Sequence, residues 1–257
     1  MDSLFALARR RDPDRAFAAA FVAPEKREAF CALVLFDHEL ARARAVTREP
    51  MLALIRLHWW REAIAAAAAG RPPRHEVAEP LARFLAQGLF DANALAAMVD
   101  AREAEAEGTI PSRAAWRAWA RGSAGAFSVA AARLLGAPAA WLPAVEQGGA
   151  LIGLARAVAS WPAQQRQGRS LLPEEALAEA GGDRARAAAR LAAEALAEMP
   201  AVRRSLRGVP RPVLPAVLPL VLARRDLARA AAGRPPRPGR LVDDQAALLW
   251  AWIRGRV

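Results

Sequence analysis

Three acidic residues, Asp100, Glu103 and Glu107, stand at i, i+3 and i+7, the spacing that aligns side chains on one face of a helix. Oxygen ligands set out in that way could hold a divalent cation. The same pattern also suits a solvated acidic stripe balanced by Arg102 or neighbouring arginines. A second group of chemically capable residues lies in 36–64, FDHELARARAVTREPMLALIRLHWWREAI, which holds two of the three histidines and the pair Trp59-Trp60. Its acids Asp37 and Glu39 are two residues apart, about 200° around a helix, so they diverge and do not share an ion. His38 and His58 are read as lacking a partner at the i+4 spacing of a helical metal pair, so neither is assigned as a metal ligand. Trp59 and Trp60 suit an interaction surface or ordinary packing with one ring in the core.

The elements that must position these residues are helices. Ala, Leu and Arg dominate the 257 residues, tyrosine is absent, and no segment alternates with the period of a strand, so the expectation is one all-α domain spanning 1–257. Pro24 and Pro50 stand where first helical turns favour proline, opening helices that run to about Thr47 and to Gly70. An earlier helix is expected over 14–21 with Asp14 as its cap. Further helices are expected over 75–86, 91–107, 112–135, 141–160, 174–181, 183–198, 213–232 and 243–254. The seventh is rich in small residues at Gly148, Gly149, Ala150 and Gly153, which permit close helix approach or leave room for a ligand.

Composition excludes several classes. The single cysteine, Cys31, rules out a disulfide within the chain and any cysteine-built metal centre, and its apolar neighbours mark it as a small core residue. The net charge of +11 is carried almost wholly by arginine, with Lys26 the one lysine. These arginines are dispersed and accompany no nucleic-acid recognition motif, so no nucleic-acid partner is assigned. Attraction to anionic lipid head groups or to a diphosphate stays open. The N-terminus has too short an apolar run for a signal peptide, and no stretch reaches the length of a spanning helix, so the expected location is cytoplasmic with peripheral contact at the inner membrane as an option. The nearest candidate, PVLPAVLPLVLA over 212–223, contains three prolines and is expected to be a buried helix.

The ordered series DRAFAAAFVAPEKREAFCALVLF, IRLHWWREAI, MVDAREAEAEG, RGSAGAFSVAAARLLG and QGRSLLP resembles the squalene/phytoene synthase family, most closely over about 14–173. The resemblance implies an all-α isoprenoid-synthase fold around a central cavity. It also implies a chemistry in which carboxylates at i and i+4 on two helices share magnesium ions that bridge prenyl diphosphates.

Where the family carries its first Asp-Asp-x-x-Asp, this chain has Ala41, Arg42 and Ala45, with His38 in the slot of the preceding arginine. At the second motif Arg156 survives, but the two acids fall on Ala157 and Trp161. Downstream, Arg169, Leu172 and Pro173 keep the flank of an Arg-x-Tyr-Leu-Pro whose tyrosine has become Leu171, and another family tyrosine falls on Trp119. No catalytic residue, metal ligand or cofactor is therefore assigned, magnesium entering only if the chain is an enzyme. His38, Arg42, Arg156 and Arg169 are the candidate ligand-binding residues, since a guanidinium holds a phosphate or carboxylate without metal. The alternative for the arginines is pairing with Asp37, Glu39 or Glu62.

ELARAR, the proline break, IRLHWWREAI and MVDAREAE together resemble a degenerate branch that includes the mitochondrial complex I assembly factor with a phytoene-synthase-like domain. That likeness implies a pseudoenzyme acting as a binding or assembly factor with a respiratory complex protein as partner. The alternatives are an active prenyl-diphosphate-condensing transferase of squalene, phytoene or hopanoid biosynthesis, and an isoprenoid or lipid carrier.

Overall fold

The computed structural model describes residues 3–47, 49–106, 108–236 and 241–257. Among them the chain forms α-helices and no strand, with one isolated bridge between Ile110 and Pro173. The first half comprises α1 (Leu4–Arg11), α2 (Pro13–Ala19), α3 (Pro24–Ala45), α4 (Pro50–Ala68), α5 (Ala78–Ala86), α6 (Ala92–Ala101) and α7 (Glu103–Ala106). Then come α8 (Arg113–Ala120), α9 (Ala126–Leu134), α10 (Leu142–Arg166), α11 (Glu174–Glu179), α12 (Arg184–Ser205), α13 (Leu220–Ala231) and α14 (Leu241–Arg254).

The expected helices opened by Pro24 and Pro50 are present, ending at Ala45 and Ala68. The differences elsewhere have local causes. Helix α1 was not expected. Ser3 caps it by accepting from the Ala6 amide at 3.2 Å, and Leu4 and Ala8 are buried. The cap of α2 is Asp12, not Asp14, because Pro13 takes the first helical position and Asp12 Oδ1 accepts from the Arg15 amide at 3.1 Å. Helix α5 starts three residues late, since His75 Nδ1 accepts from the Val77 and Ala78 amides and delays the first turn.

Two helices run beyond their expected ends at 160 and 198 and through a proline: α10 continues past Pro162 to Arg166, and α12 past Pro200 to Ser205. A proline inside a helix costs about 3 kcal/mol, so the packing beyond it must offset that cost. In α12 buried Val202 lies beyond Pro200, and in α10 buried Gln164 bonds the Leu171 amide. The proline-rich 212–223 goes the other way. It is buried as expected, but it starts as a 3-10 turn over Arg211–Ala216, and regular helix begins only after Pro219.

Helix α10 is the central post, packed on α8, α9, α12 and α13. Helix α3 is the other interior element, with Phe30, Leu33, Val34 and Phe36 wholly buried. Its Phe30 meets Phe127 of α9 edge-on at 6.2 Å, and Phe36 meets Trp60 of α4 at 5.3 Å. Each such ring contributes roughly 2–3 kcal/mol by leaving water. Cys31 lies in this core, where burial foremost pushes its thiol up to about 12.

Candidate functional site

The buried residues of α3 include a single carboxylate. Asp37 follows Phe36 into the interior with 4 % of its surface exposed, and an isolated carboxylate there would be prohibitively costly. Two arginines compensate it. Arg15 of α2 bonds Asp37 Oδ2, and Arg102, at the joint between α6 and α7, bonds Oδ1 at 2.6 Å. Arg102 also donates to Glu105 at 2.5 Å, and Glu105 accepts from the Trp119 indole N–H at 2.9 Å. Arg15 lies 3.7 Å over the Phe127 ring and approaches Asp12, which in turn holds Arg156 of α10 at 2.9 Å.

The result is a continuous chain, Arg156, Asp12, Arg15, Asp37, Arg102, Glu105 and Trp119, in which three arginines face three carboxylates. Burial opposes ionisation of Asp37, yet Arg102 and Arg15 hold its carboxyl well below the ordinary range. Burial opposes it at Asp12 as well, where Arg156 and Arg15 keep the carboxyl low.

Arg102 can do this because 91–107 is not one helix. It breaks at Arg102, whose amide bonds Val99 O, and the break turns the side chain inward instead of leaving it beside the acidic stripe. Asp100 and Glu103 are consequently served from outside by Arg61 of α4, which donates Nε to Asp100 at 2.9 Å and Nη2 to Glu103 at 2.8 Å. Both acids are exposed or half-exposed and form the solvated, arginine-balanced stripe; Glu107 lies outside the described residues.

The candidate ligand residues divide into two places. Arg42 pairs with Glu39 at 3.0 Å and stays 40 % exposed, so it faces the surface and not the interior. His38 is half-buried near Glu39, Arg11, Arg42 and Asp12, and burial lowers its pKa. Arg156 joins the same neighbourhood through Asp12. Arg169 is apart from them, between Glu105 and Arg44, donating to Gln167 at 2.6 Å and 3.1 Å. Glu62 does stand four residues after His58, correcting the expectation of no i+4 partner, and the two meet at 3.4 Å on the surface. Trp60 is buried and Trp59 half-buried, edge-on at 5.0 Å with the His75 ring beside both, so the pair is packed as one core and one boundary ring.

Asp12, Arg15, Arg102 and Glu105 were not legible as site residues. The available signal was Asp37 itself, an acid on the buried face of an apolar helix, which demands cationic partners somewhere in the chain.

Beside this network Asp14 behaves differently. Burial raises its pKa to about 6, opposed by Arg156 and reinforced by Asp12, Asp244 and Asp226. For a carboxyl raised in the folded state, the unfolded chain releases its proton first, so stability falls as pH rises from 3.8 to about 6 and stays lowered above that. Asp14→Asn is expected to stabilise the protein at neutral pH by about 1–2 kcal/mol. It should also flatten the thermal midpoint across that pH window, which a melting series would read.

The positions aligned with the family's acidic motifs offer no oxygen ligands. Ala41 is half-buried, Ala45 exposed and Ala157 buried. Trp161 lines a cleft of about 400 Å³ with Val158, Ala188, Asp226, Arg229 and Arg234, walled by α10, α12 and α13 and not by α3. Asp37, Asp12 and Glu39, carboxylates near the first position, are each already held by two arginines. This donor set does not fit a magnesium ion. Among the described residues no group of three or more His, Cys, Asp or Glu side chains is placed to hold a metal, and no helix is long and apolar enough to cross a membrane.

The family model for squalene/phytoene synthase matches residues 8–242. A comparison with curated proteins gives no match. Among solved structures, a dehydrosqualene synthase in complex with ligand superposes with a TM-score of 0.77 at 12 % identity, covering 98 % of this chain and 95 % of that one. Squalene synthase HpnC from Alicyclobacillus acidocaldarius superposes with a TM-score of 0.66 at 16 % identity, covering 98 % and 94 %. The fold is therefore the all-α fold of these synthases.

Proposed function

Because this chain belongs to the squalene/phytoene synthase family, we propose that it keeps the fold of a prenyl-condensing enzyme and works as a binding or assembly factor, with a respiratory complex I protein as its client. One observation carries the reading. The motif positions hold Ala41, Arg42, Ala45, Ala157 and Trp161, while the nearby carboxylates are neutralised by arginines within the protein. Ionising an allylic diphosphate leaves a concentrated negative charge on the leaving group, and magnesium held by carboxylates is what would offset it. Ala41, Arg42, Ala45, Ala157 and Trp161 supply no carboxylate for it.

A partner-binding role also has a surface to use. Helix α4 exposes Met51, Leu52 and Ile55 within its first two turns, and Val46 at the end of α3 is exposed as well. Apolar exposure of this kind marks interaction sites more often than a monomer's bare surface. Val46 follows Ala45, one of the positions aligned with the family's first acidic motif.

The direct test is incubation with farnesyl or geranylgeranyl diphosphate and magnesium. Pyrophosphate release is expected to equal that of a protein-free control, and metal-dependent turnover would reinstate the transferase reading. Purification from cells separates the remaining readings: complex I subunits retained by the wild type and lost from Ile55→Glu support the assembly factor, whereas bound isoprenoid supports a carrier.

A further inference from the structure

Helix α14 is apolar on two sides. Inward, Leu248 and Ala251 are buried, and Trp252 stacks on Phe21 with ring centroids 4.8 Å apart beneath the Arg211 guanidinium. Outward, Val242, Leu249 and Ile253 fall within about 40° of one another at the helical period, with Trp250 beside them. These side chains are 77 % (Val242), 43 % (Leu249), 55 % (Ile253) and 54 % (Trp250) exposed. A helix lying on a globular domain ordinarily turns charged and polar residues that way.

The apolar stripe borders a concentration of positive charge. Arg203, Arg224, Arg225, Arg254 and Arg256 line a shallow groove of about 230 Å³ with Trp250, and the Arg254 guanidinium sits 4.4 Å over the Trp250 ring. Asp244 reaches Arg225 only at 3.9 Å, the outer limit of an ion pair. Arg203 donates Nε to the main-chain oxygen of Val257 at 2.8 Å, and burial together with crowding by Arg224, Arg256 and Arg207 lowers its pKa. Along α13 the charge continues through Arg229 towards Arg234. The acids of α14, Asp243 and Asp244, are in its first turn, about 15 Å from Arg254 along the axis.

We infer that this face docks on a bilayer containing anionic lipid, with Leu249, Trp250 and Ile253 entering the head-group boundary and the arginines holding lipid phosphates. The charge points to that occupant: clustered guanidinium groups are complementary to a dense array of phosphates and bind them bidentately. The arrangement agrees, since the exposed apolar residues form a stripe along one side of a helix. An amphipathic helix lying in the interface needs no spanning segment, and tryptophan favours that depth. The inference is independent of whether the protein condenses diphosphates.

The test is flotation of the full chain with vesicles of phosphatidylcholine alone and with vesicles in which a third of it is replaced by phosphatidylglycerol, each at low salt and at half-molar salt. Co-flotation is expected with the anionic vesicles at low salt, reduced by salt, and absent with neutral vesicles. Ile253→Glu and the double variant Arg224→Glu/Arg254→Glu should each weaken partitioning by roughly tenfold or more. All three positions line an exposed face, and an unchanged thermal midpoint would certify that the variants fold. Failure of the wild type to float with anionic vesicles overturns the inference. So does equal flotation with neutral ones, or flotation unaffected by both variants. Capture of an acidic protein by this face without vesicle binding would assign it to a protein partner instead.

Discussion

Asp37→Asn is expected to destabilise the protein by about 3–5 kcal/mol, read as a shift of the denaturation midpoint at unchanged slope. Asparagine matches aspartate in size, so no cavity opens and the loss is electrostatic. Asp37 is contacted by Arg15 on one oxygen and Arg102 on the other, and all three side chains are nearly or wholly withdrawn from water. Without the carboxylate, three guanidinium groups face two acids, and Arg102 already has an Nε without a partner. The variant therefore leaves uncompensated buried charge, which costs far more than the net worth of the intact pair.

Two further measurements separate this account from generic core damage. Arg15→Met in the Asp37→Asn background should recover part of the loss, because Arg156 still serves Asp12 and Arg102 still serves Glu105, giving a coupling energy of roughly 1–3 kcal/mol. The acid limb should change as well. A carboxyl held below its ordinary 3.8 adds stability that is complete above that value and lost as pH falls through its folded pKa. Asp37→Asn should remove that part of the acid sensitivity, while Asp14→Asn acts on the window above 3.8.

The same residue shows where sequence stops short. Helices α3 and α4 were legible because Pro24 and Pro50 mark their first turns and apolar residues recur at helical spacing behind them. Asp37 was visible only as an acid that could not share an ion with Glu39. Its partners lie 22 and 65 residues away, and Arg15 and Arg102 look like any other arginine in a chain with so many. The break at Arg102 was hidden for a related reason. Every residue of 91–107 favours or tolerates a helix, and what ends α6 is a buried tertiary demand on one side chain. The acidic trio at i, i+3 and i+7 thus rested on a continuous helix that tertiary structure interrupts. Pro162 and Pro200 erred in the opposite direction, because a local penalty of about 3 kcal/mol yields to packing that no local rule contains. The motif positions, by contrast, rest on the resemblance and on residue types alone, and Ala41, Ala45, Ala157 and Trp161 bear no carboxylate.

Gly149→Ala should be destabilising by about 3 kcal/mol, and its sign is the informative part. In an exposed helix the same change stabilises by about 1 kcal/mol, because alanine is the better helix former. At Gly149 an added Cβ would stand 2.6 Å from Ala124 O and 2.5 Å from Ser128 Oγ, closer than real Cβ contacts allow. The obstructing Ala124 oxygen belongs to the π-helical turn Arg121–Gly125, so it cannot swing aside as a side chain would. Gly148 is the internal control. Its nearest neighbour is the flexible Leu206 side chain at 3.3 Å, and Gly148→Ala should cost less than about 1 kcal/mol. Adding Ser128→Gly to Gly149→Ala removes one obstruction and leaves the carbonyl, so rescue should be partial. Full rescue would show that the backbones of α10 and the π-turn have room to part. Gly149 is thus accounted for by the close approach of α10 to the π-turn, and Gly153 repeats it one turn later with Ala124 Cβ at 2.9 Å, whereas Gly148 faces Leu206 and Val217.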